Sequence, residues 1–342
     1  MKVIMVPDEL APRGPVDATP ARRPGTVRRT TTIDMTWTGG LDGRVTLAGR
    51  GRDLRTTSED LEPSVLAEET TRVVVEQDRT ISEIVITDLR DARGVARSVP
   101  DLVGARAGFG FRGVVAERTP QLIAAGTPSS LLLDDTPGAA LISGWAFGRW
   151  LDLPLLLEKA KAAGAPQRNM EGVCTGFQAG SSGLNPDGTS RWNHNSRPVR
   201  SLDRTTDDPW AWHDFADVSG QTAMRRTRRI DVWRAGTSVE VDSFFQDSST
   251  TPAGGREAVH EYQLLVGARE GVLERVDAVP RVLPYRECPL ATQQVDQLLG
   301  TPLADLRSVV LERLKGIAGC THLNDALRAL ADVPHLVAHL PG

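Results

Sequence analysis

The sequence predicts an α+β protein made of two tandem, diverged repeats, each a small antiparallel sheet with helices packed on one face. Three observations carry this. The chain has 342 residues, 40% hydrophobic and 25% charged, which at roughly 150 residues per domain gives two units able to bury their own cores. Strand-like runs rich in β-branched residues give way to helical text, and the same order returns in the second half. Local identities also link the halves: Arg28-Arg29-Thr30-x-x-Ile33-Asp34 matches Arg225-Arg226-Thr227-x-x-Ile230-Asp231, and Arg112-x-Val114-Val115-x-Glu117-Arg118 matches Arg307-x-Val309-Val310-x-Glu312-Arg313, at nearly one offset. Leu133-x-Asp135 falls opposite Leu323-x-Asp325. Two ordered matches at one offset read as an internal duplication.

Residues 1–25, rich in Pro, Ala and Arg with no apolar period, read as a weakly ordered arm. Residues 26–150 form the first repeat: the runs VRRTTTIDMTW, GRVTLAGRG, RVVVEQD and ISEIVITD predict strands, and 99–150 predict helices broken at Gly108, Gly110, Pro120, Pro128 and Pro137. Residues 151–222 are a polar connector rich in Gly and Trp, long enough to be a lid or binding loop. In residues 223–342 the strands MRRTRRIDVWRAG, SVEVDSFF, VHEYQLLVGA and GVLERVDAVPRVLPY precede three helical stretches: PLATQQVDQLLG, PLADLRSVVLERLKG and THLNDALRALADV.

Composition excludes several classes. A formal charge of −4, from 40 basic and 44 acidic residues, offers no basic excess for nucleic acid. No run approaches the ~20 apolar residues of a membrane span, and the N-terminus lacks the apolar core of a signal peptide. Three cysteines, far apart in sequence, are too few for a disulfide framework and fit a reducing bacterial cytoplasm. Only four of the 40 basic residues are lysines, which reads as codon bias and not as guanidinium chemistry. Asp134-Asp135 and Asp207-Asp208 read as caps or solvated turns.

Chemistry concentrates in the second repeat. Cys288 and Cys320 sit at predicted helix starts, where unpaired N–H groups and the dipole favour thiolate. His322 follows in the first turn. In the strand VHEYQLLV, alternation puts His260 and Tyr262 on one face and Glu261 on the other. His260, Cys288, Cys320 and His322 therefore form a candidate ligand set for Zn²⁺, with Fe²⁺ second. The connector adds Cys174, Trp192, His194, Arg197, Trp212 and His213. Cys174, His194 and His322 are the candidate catalytic groups. Trp192, Arg197, Trp212, Tyr262 and Tyr285 are the candidate walls for a small apolar or aromatic substrate.

The run Val259–Val333, with a strand pair, a Cys at a helix start, a Gly-Thr-Pro-Leu turn and a last helix opened by Cys, resembles the NifU-like (NifU/SufE-type) iron–sulfur scaffold fold. That resemblance implies a cluster or zinc held near His260, Cys288 and Cys320. Gly319 stands where that family carries a histidine, and the strand cysteine is absent. The motifs Pro-Tyr-Arg-Glu-Cys-Pro and Gly-Cys-Thr-His-Leu-Asn-Asp also resemble an uncharacterised bacterial domain-of-unknown-function family, over roughly the last 120 residues; this implies no activity.

Three readings follow. The first is a metal-dependent lyase or hydrolase acting on a small molecule, with His322 as ligand or base. The second is a zinc domain or iron–sulfur scaffold with four closed ligands. The third is a metal-free enzyme with Cys174 or Cys320 as nucleophile and His194 or His322 as base. A fused duplication with one silent copy is compatible with a homodimer.

Overall fold

The computed structural model describes residues 4–341 apart from 41–42, 58–61, 153–154, 156–157, 159–161, 163–167 and 193–194. Strands β1 (Thr26–Thr38), β2 (Arg44–Thr56), β3 (Ser64–Val75), β4 (Ile81–Asp88) and the short β5 (Ala96–Ser98) form one antiparallel meander. After the three-residue β6 (Arg197–Val199) come β7 (Ala223–Ala235), β8 (Ser238–Thr250), β9 (Arg256–Arg269) and β10 (Val272–Val282), which form a second. Val, Ile and Thr favour these pleated, half-buried positions. At the β9–β10 turn both Glu270 and Gly271 have positive φ (51° and 78°), the pair of left-handed residues that a tight hairpin of matching twist requires.

The two meanders do not form separate sheets. β1 pairs antiparallel with β7, from Thr26 opposite Trp233 to Thr36 opposite Ala223. The order is β10-β9-β8-β7-β1-β2-β3-β4-β5, with β6 pairing β9. Charge explains the junction. Arg28 lies opposite Asp231 and Asp34 opposite Arg225, and each pair makes a bidentate ion pair, at 2.5 and 2.9 Å and at 2.6 and 3.0 Å respectively. Separated, either strand would leave buried charge unmatched.

One face of the sheet carries the helices: α1 (Phe111–Arg118), α2 (Pro120–Ala125), α3 (Pro128–Ile142), the single turn α4 (Phe147–Trp150), α5 (Leu306–Arg313), α6 (Thr321–Arg328) and α7 (Val333–Val337). A 3₁₀ stretch, Cys288–Leu298, replaces the first helix expected in the second half. Two apolar clusters fill the interface, one under α1–α3 and one under α5–α7. Among the described residues no helix is long and apolar enough to cross a membrane.

The opposite face is covered by the connector and the arm. His213 is buried with its two ring nitrogens 2.9 and 2.8 Å from the Thr30 and Thr32 hydroxyls, and Ala211 and Ala216 carbonyls accept from Arg28 and Arg225. The arm, expected to be weakly ordered, is pinned: Arg13 and Gly14 N–H bond to Pro280 and Arg281 carbonyls. In addition, Val16 N–H bonds to Glu261 at 2.6 Å, Trp212 to Thr19 at 2.9 Å and Arg22 to Asp208 at 2.9 Å. Polar partners supply what its missing apolar period could not.

Asp134 and Asp135 are neither caps nor solvated turns; both are buried in α3. They belong to one connected set of buried or half-buried ion pairs between sheet and helices. Arg29 joins Asp53 and Asp332; Arg307 joins Asp332 and Asp134; Arg328 and Arg112 join Asp134. Arg112 and Arg226 share Asp325, and Arg226 and Arg228 share Asp135, while Arg226 also holds Asp247. Six guanidinium groups meet six carboxylates, so the set is neutral. The planar, multidonor fork is what bridges several carboxylates at once. Arginine here is structural chemistry, and codon bias alone does not account for it.

Candidate metal centre and thiol group

The candidate site grows from the register of three strands and one helix start. Arg226 on β7 lies opposite Asp247 on β8, and Asp247 lies opposite His260 on β9. All three project toward the helices. Cys320 caps α6 in an extended conformation, and His322, the second residue of that helix, reaches back to the sheet. The rings of His260 and His322 stack, with centroids 3.3 Å apart and planes 12° off parallel. His322 Nε2 stands 3.7 Å from Asp247 Oδ2. One ligand atom from each of Asp247, His260 and His322 lies within 4.8 Å of the others.

Electrostatics keep this group ready to ligate. Burial, with Arg226 nearby, pushes His322 down to about 3. Burial and the neighbouring imidazole hold His260 well below its ordinary range. Both rings are therefore neutral at pH 7, the form that binds metal. His260 Nδ1 and His322 Nε2 are buried and have no hydrogen-bond partner, a costly state for buried polar atoms. Asp247 is held by Arg226 through bonds of 2.9 and 3.0 Å. That is the outer-shell grip that orients a ligating carboxylate. The Arg226 charge is offset in turn by Asp135 and Asp325.

The three cysteines gather beside this group. Cys174 precedes the 3₁₀ turn Thr175–Phe177, Cys288 opens its own 3₁₀ stretch, and Cys320 caps α6. Tyr262 Oη donates to Cys320 Sγ at 3.5 Å. Gly176 closes the cluster: a Cβ there would lie 2.7 Å from Cys288 Sγ, 3.2 Å from Tyr285 and 3.9 Å from Cys174 Sγ, so only glycine fits. Burial pushes the Cys174 thiol up to about 12, with Cys320 adding to it. Burial and the neighbouring thiols raise Cys288, and burial raises Cys320. Protonated thiols are poor nucleophiles. The helix starts do supply N–H groups to Cys174 and Cys320, but burial outweighs them.

Of the expected ligand set, His260 and His322 meet, and Asp247 joins them in place of Cys288 and Cys320, which pack with Cys174 and Tyr262. Asp247 was missed because its place depends on strand register. Its one sequence signal is an acidic residue directly after Phe244-Phe245-Gln246, a position that demands a buried partner. Tyr285 packs against Phe177, with ring centroids 5.2 Å apart and planes tilted by 52°, beside the thiols. Trp192 packs on Trp145, with centroids 4.5 Å apart, and against Gly148. Trp212 lies on the opposite face of the sheet with Phe244 and Leu202; these tryptophans pin the connector to different places and do not form one aromatic wall. Arg197 is on β6 at the β9 edge. His194 lies outside the described residues.

No significant match to the chain was found among curated proteins or among solved structures. The profile of one family, described as proteins of unknown function (DUF2889), matches residues 224–335. That segment holds Asp247, His260, Cys288, Cys320 and His322 but not Cys174, and it is to this family that the C-terminal part of the chain is similar.

Proposed function

We propose that the chain is a metal-dependent enzyme of lyase or hydrolase type, with Asp247, His260 and His322 holding Zn²⁺ or, second, Fe²⁺. The observation that carries this is the pair of buried, partnerless imidazole nitrogens grouped with a carboxylate. Two imidazoles and one carboxylate suit either ion and leave coordination positions open to substrate. An ion so held polarises a substrate oxygen or brings the pKa of a bound water to ~7. The substrate is a small, partly apolar molecule, and the protein works in the cytoplasm. The two meanders are diverged copies of one ancestral unit, of which the second retains the site.

A second reading has one observation in its favour: all three cysteines converge, as in a thiolate-held zinc or iron–sulfur scaffold. Elemental mass spectrometry on untagged protein separates the two. The enzyme reading expects about one zinc or iron per chain, lost in His260→Ala, His322→Gln and Asp247→Asn but kept in Cys288→Ser. Metal lost in Cys288→Ser and kept in all three other variants transfers the case to the scaffold. No metal, with three freely titrating thiols, overturns both.

A further inference from the structure

The N-terminal arm roofs a cavity of about 650 Å³ against the end of β10 and the segment that follows it. This is the size of a small-molecule site and too small for a folded partner. Its lining includes the apolar side chains of Met5 and Leu283, with Tyr285, and three arginines, Arg197, Arg281 and Arg286. Asp8 is the single carboxylate residue in the lining.

The three arginines are unequally engaged. Arg197 donates to the neighbouring Ser196 carbonyl at 3.2 Å, and no carboxylate of the described residues stands within ion-pair distance of it. Arg281 donates to the Pro15 carbonyl at 3.2 Å. Its Nε is buried with no hydrogen-bond acceptor, 3.9 Å from Glu261. Arg286 is paired with Glu287 at 3.1 Å, but Glu287 also receives the Ser182 N–H and hydroxyl at 3.0 and 2.6 Å. Arg197 and Arg281 thus keep unused donors at a cavity of mixed polar and apolar lining. A planar carboxylate satisfies such donors through charge-assisted bonds, while the rest of the ligand covers the apolar wall.

We propose that this cavity binds a small monocarboxylate with an apolar or aromatic body, its carboxylate on Arg197 and Arg281 and its body against Tyr285 and Leu283. Tyr285 also borders Gly176 and Gly183, beside Cys288, so the ligand lies near the thiol group. This names a substrate class for the enzyme reading above and rests on it for turnover, though not for binding.

The test is calorimetric titration of the full chain, chelator-treated and metal-bearing in parallel, with 3-phenylpropanoate and octanoate and with the amide of each. Both acids are expected to bind, with each amide at least tenfold weaker. Arg197→Ala and Arg281→Met should each weaken the acids about tenfold and leave the amides unchanged. Acid and amide binding alike, or no binding of either acid at millimolar concentration, overturns the proposal. Acid binding that persists in chelator-treated protein and in Asp247→Asn, in a chain that holds no metal, would instead sink the metal reading alone.

Discussion

Asp135 is where the neutral ion-pair set is most exposed to a single change. It sits mid-way along α3, 2% exposed, with Arg228 Nη2 2.8 Å from both of its oxygens and Arg226 Nη1 3.3 Å away. Asp135→Asn keeps the volume and removes one charge, leaving six guanidinium groups against five carboxylates in a buried space. Removing one partner of a buried pair costs about 3–5 kcal/mol, a large share of the roughly 5–15 kcal/mol that stabilises a folded protein. With an unfolding entropy of about 2.1 cal/mol/K per residue, or about 0.7 kcal/mol/K for the 342 residues, the melting temperature falls by roughly 4–7 °C. Arg228→Met alone leaves the opposite imbalance, although the new side chain still meets Phe245, over whose ring the guanidinium lies at 5.0 Å. The double variant restores charge balance, so its loss should fall short of the sum by about 2–3 kcal/mol. Urea denaturation and thermal melts followed by circular dichroism on the four proteins read these values. A loss below about 1 kcal/mol for Asp135→Asn, or additivity of the two changes, would falsify the argument that charge balance holds the helices to the sheet.

Two further predictions concern titration. Burial pushes the Glu261 carboxyl, beneath the arm, from 4.5 up to about 7. The folded chain therefore keeps a proton there that the unfolded chain releases, and stability falls as pH rises from about 4.5 to 7; relative to wild type, Glu261→Gln should gain about 2–3 kcal/mol between these limits in urea melts, and parallel pH profiles would refute this. Because burial raises all three thiols, iodoacetamide should alkylate each more slowly than free cysteine at neutral pH in chelator-treated protein, and one faster thiol would restore the nucleophile reading.

Much of the frame was legible because it rests on local pattern. The matched strings Arg28-Arg29-Thr30 and Arg225-Arg226-Thr227 mark β1 and β7, and the strings from Arg112 and from Arg307 fall in α1 and α5. The alternation in VHEYQLLV placed His260 and Tyr262 on one face, and the structure keeps them there. What the sequence could not carry is pairing between distant segments. That β1 would pair with β7 follows from cross-strand charges, which have no signature until the register is known. The same holds for Asp247. Cys174 reaches the other thiols on a short 3₁₀ turn, where no periodicity exists to read.

The asymmetry between the halves shows what the frame alone cannot do. Arg29 faces Asp53 across β1 and β2 as Arg226 faces Asp247 across β7 and β8. One strand further out, Asp53 meets Ala67 where Asp247 meets His260. At the helix above, α3 is capped by Thr127 and continues Pro128-Ser129, where α6 is capped by Cys320 and continues Thr321-His322. In the first half Arg29 takes both oxygens of the carboxylate, at 2.7 and 2.6 Å. In the second, two imidazoles with unbonded nitrogens stand beside the arginine-held carboxylate, and each adds a buried polar cost that helix–sheet packing does not need. That cost is what the proposed metal ion on those nitrogens would offset.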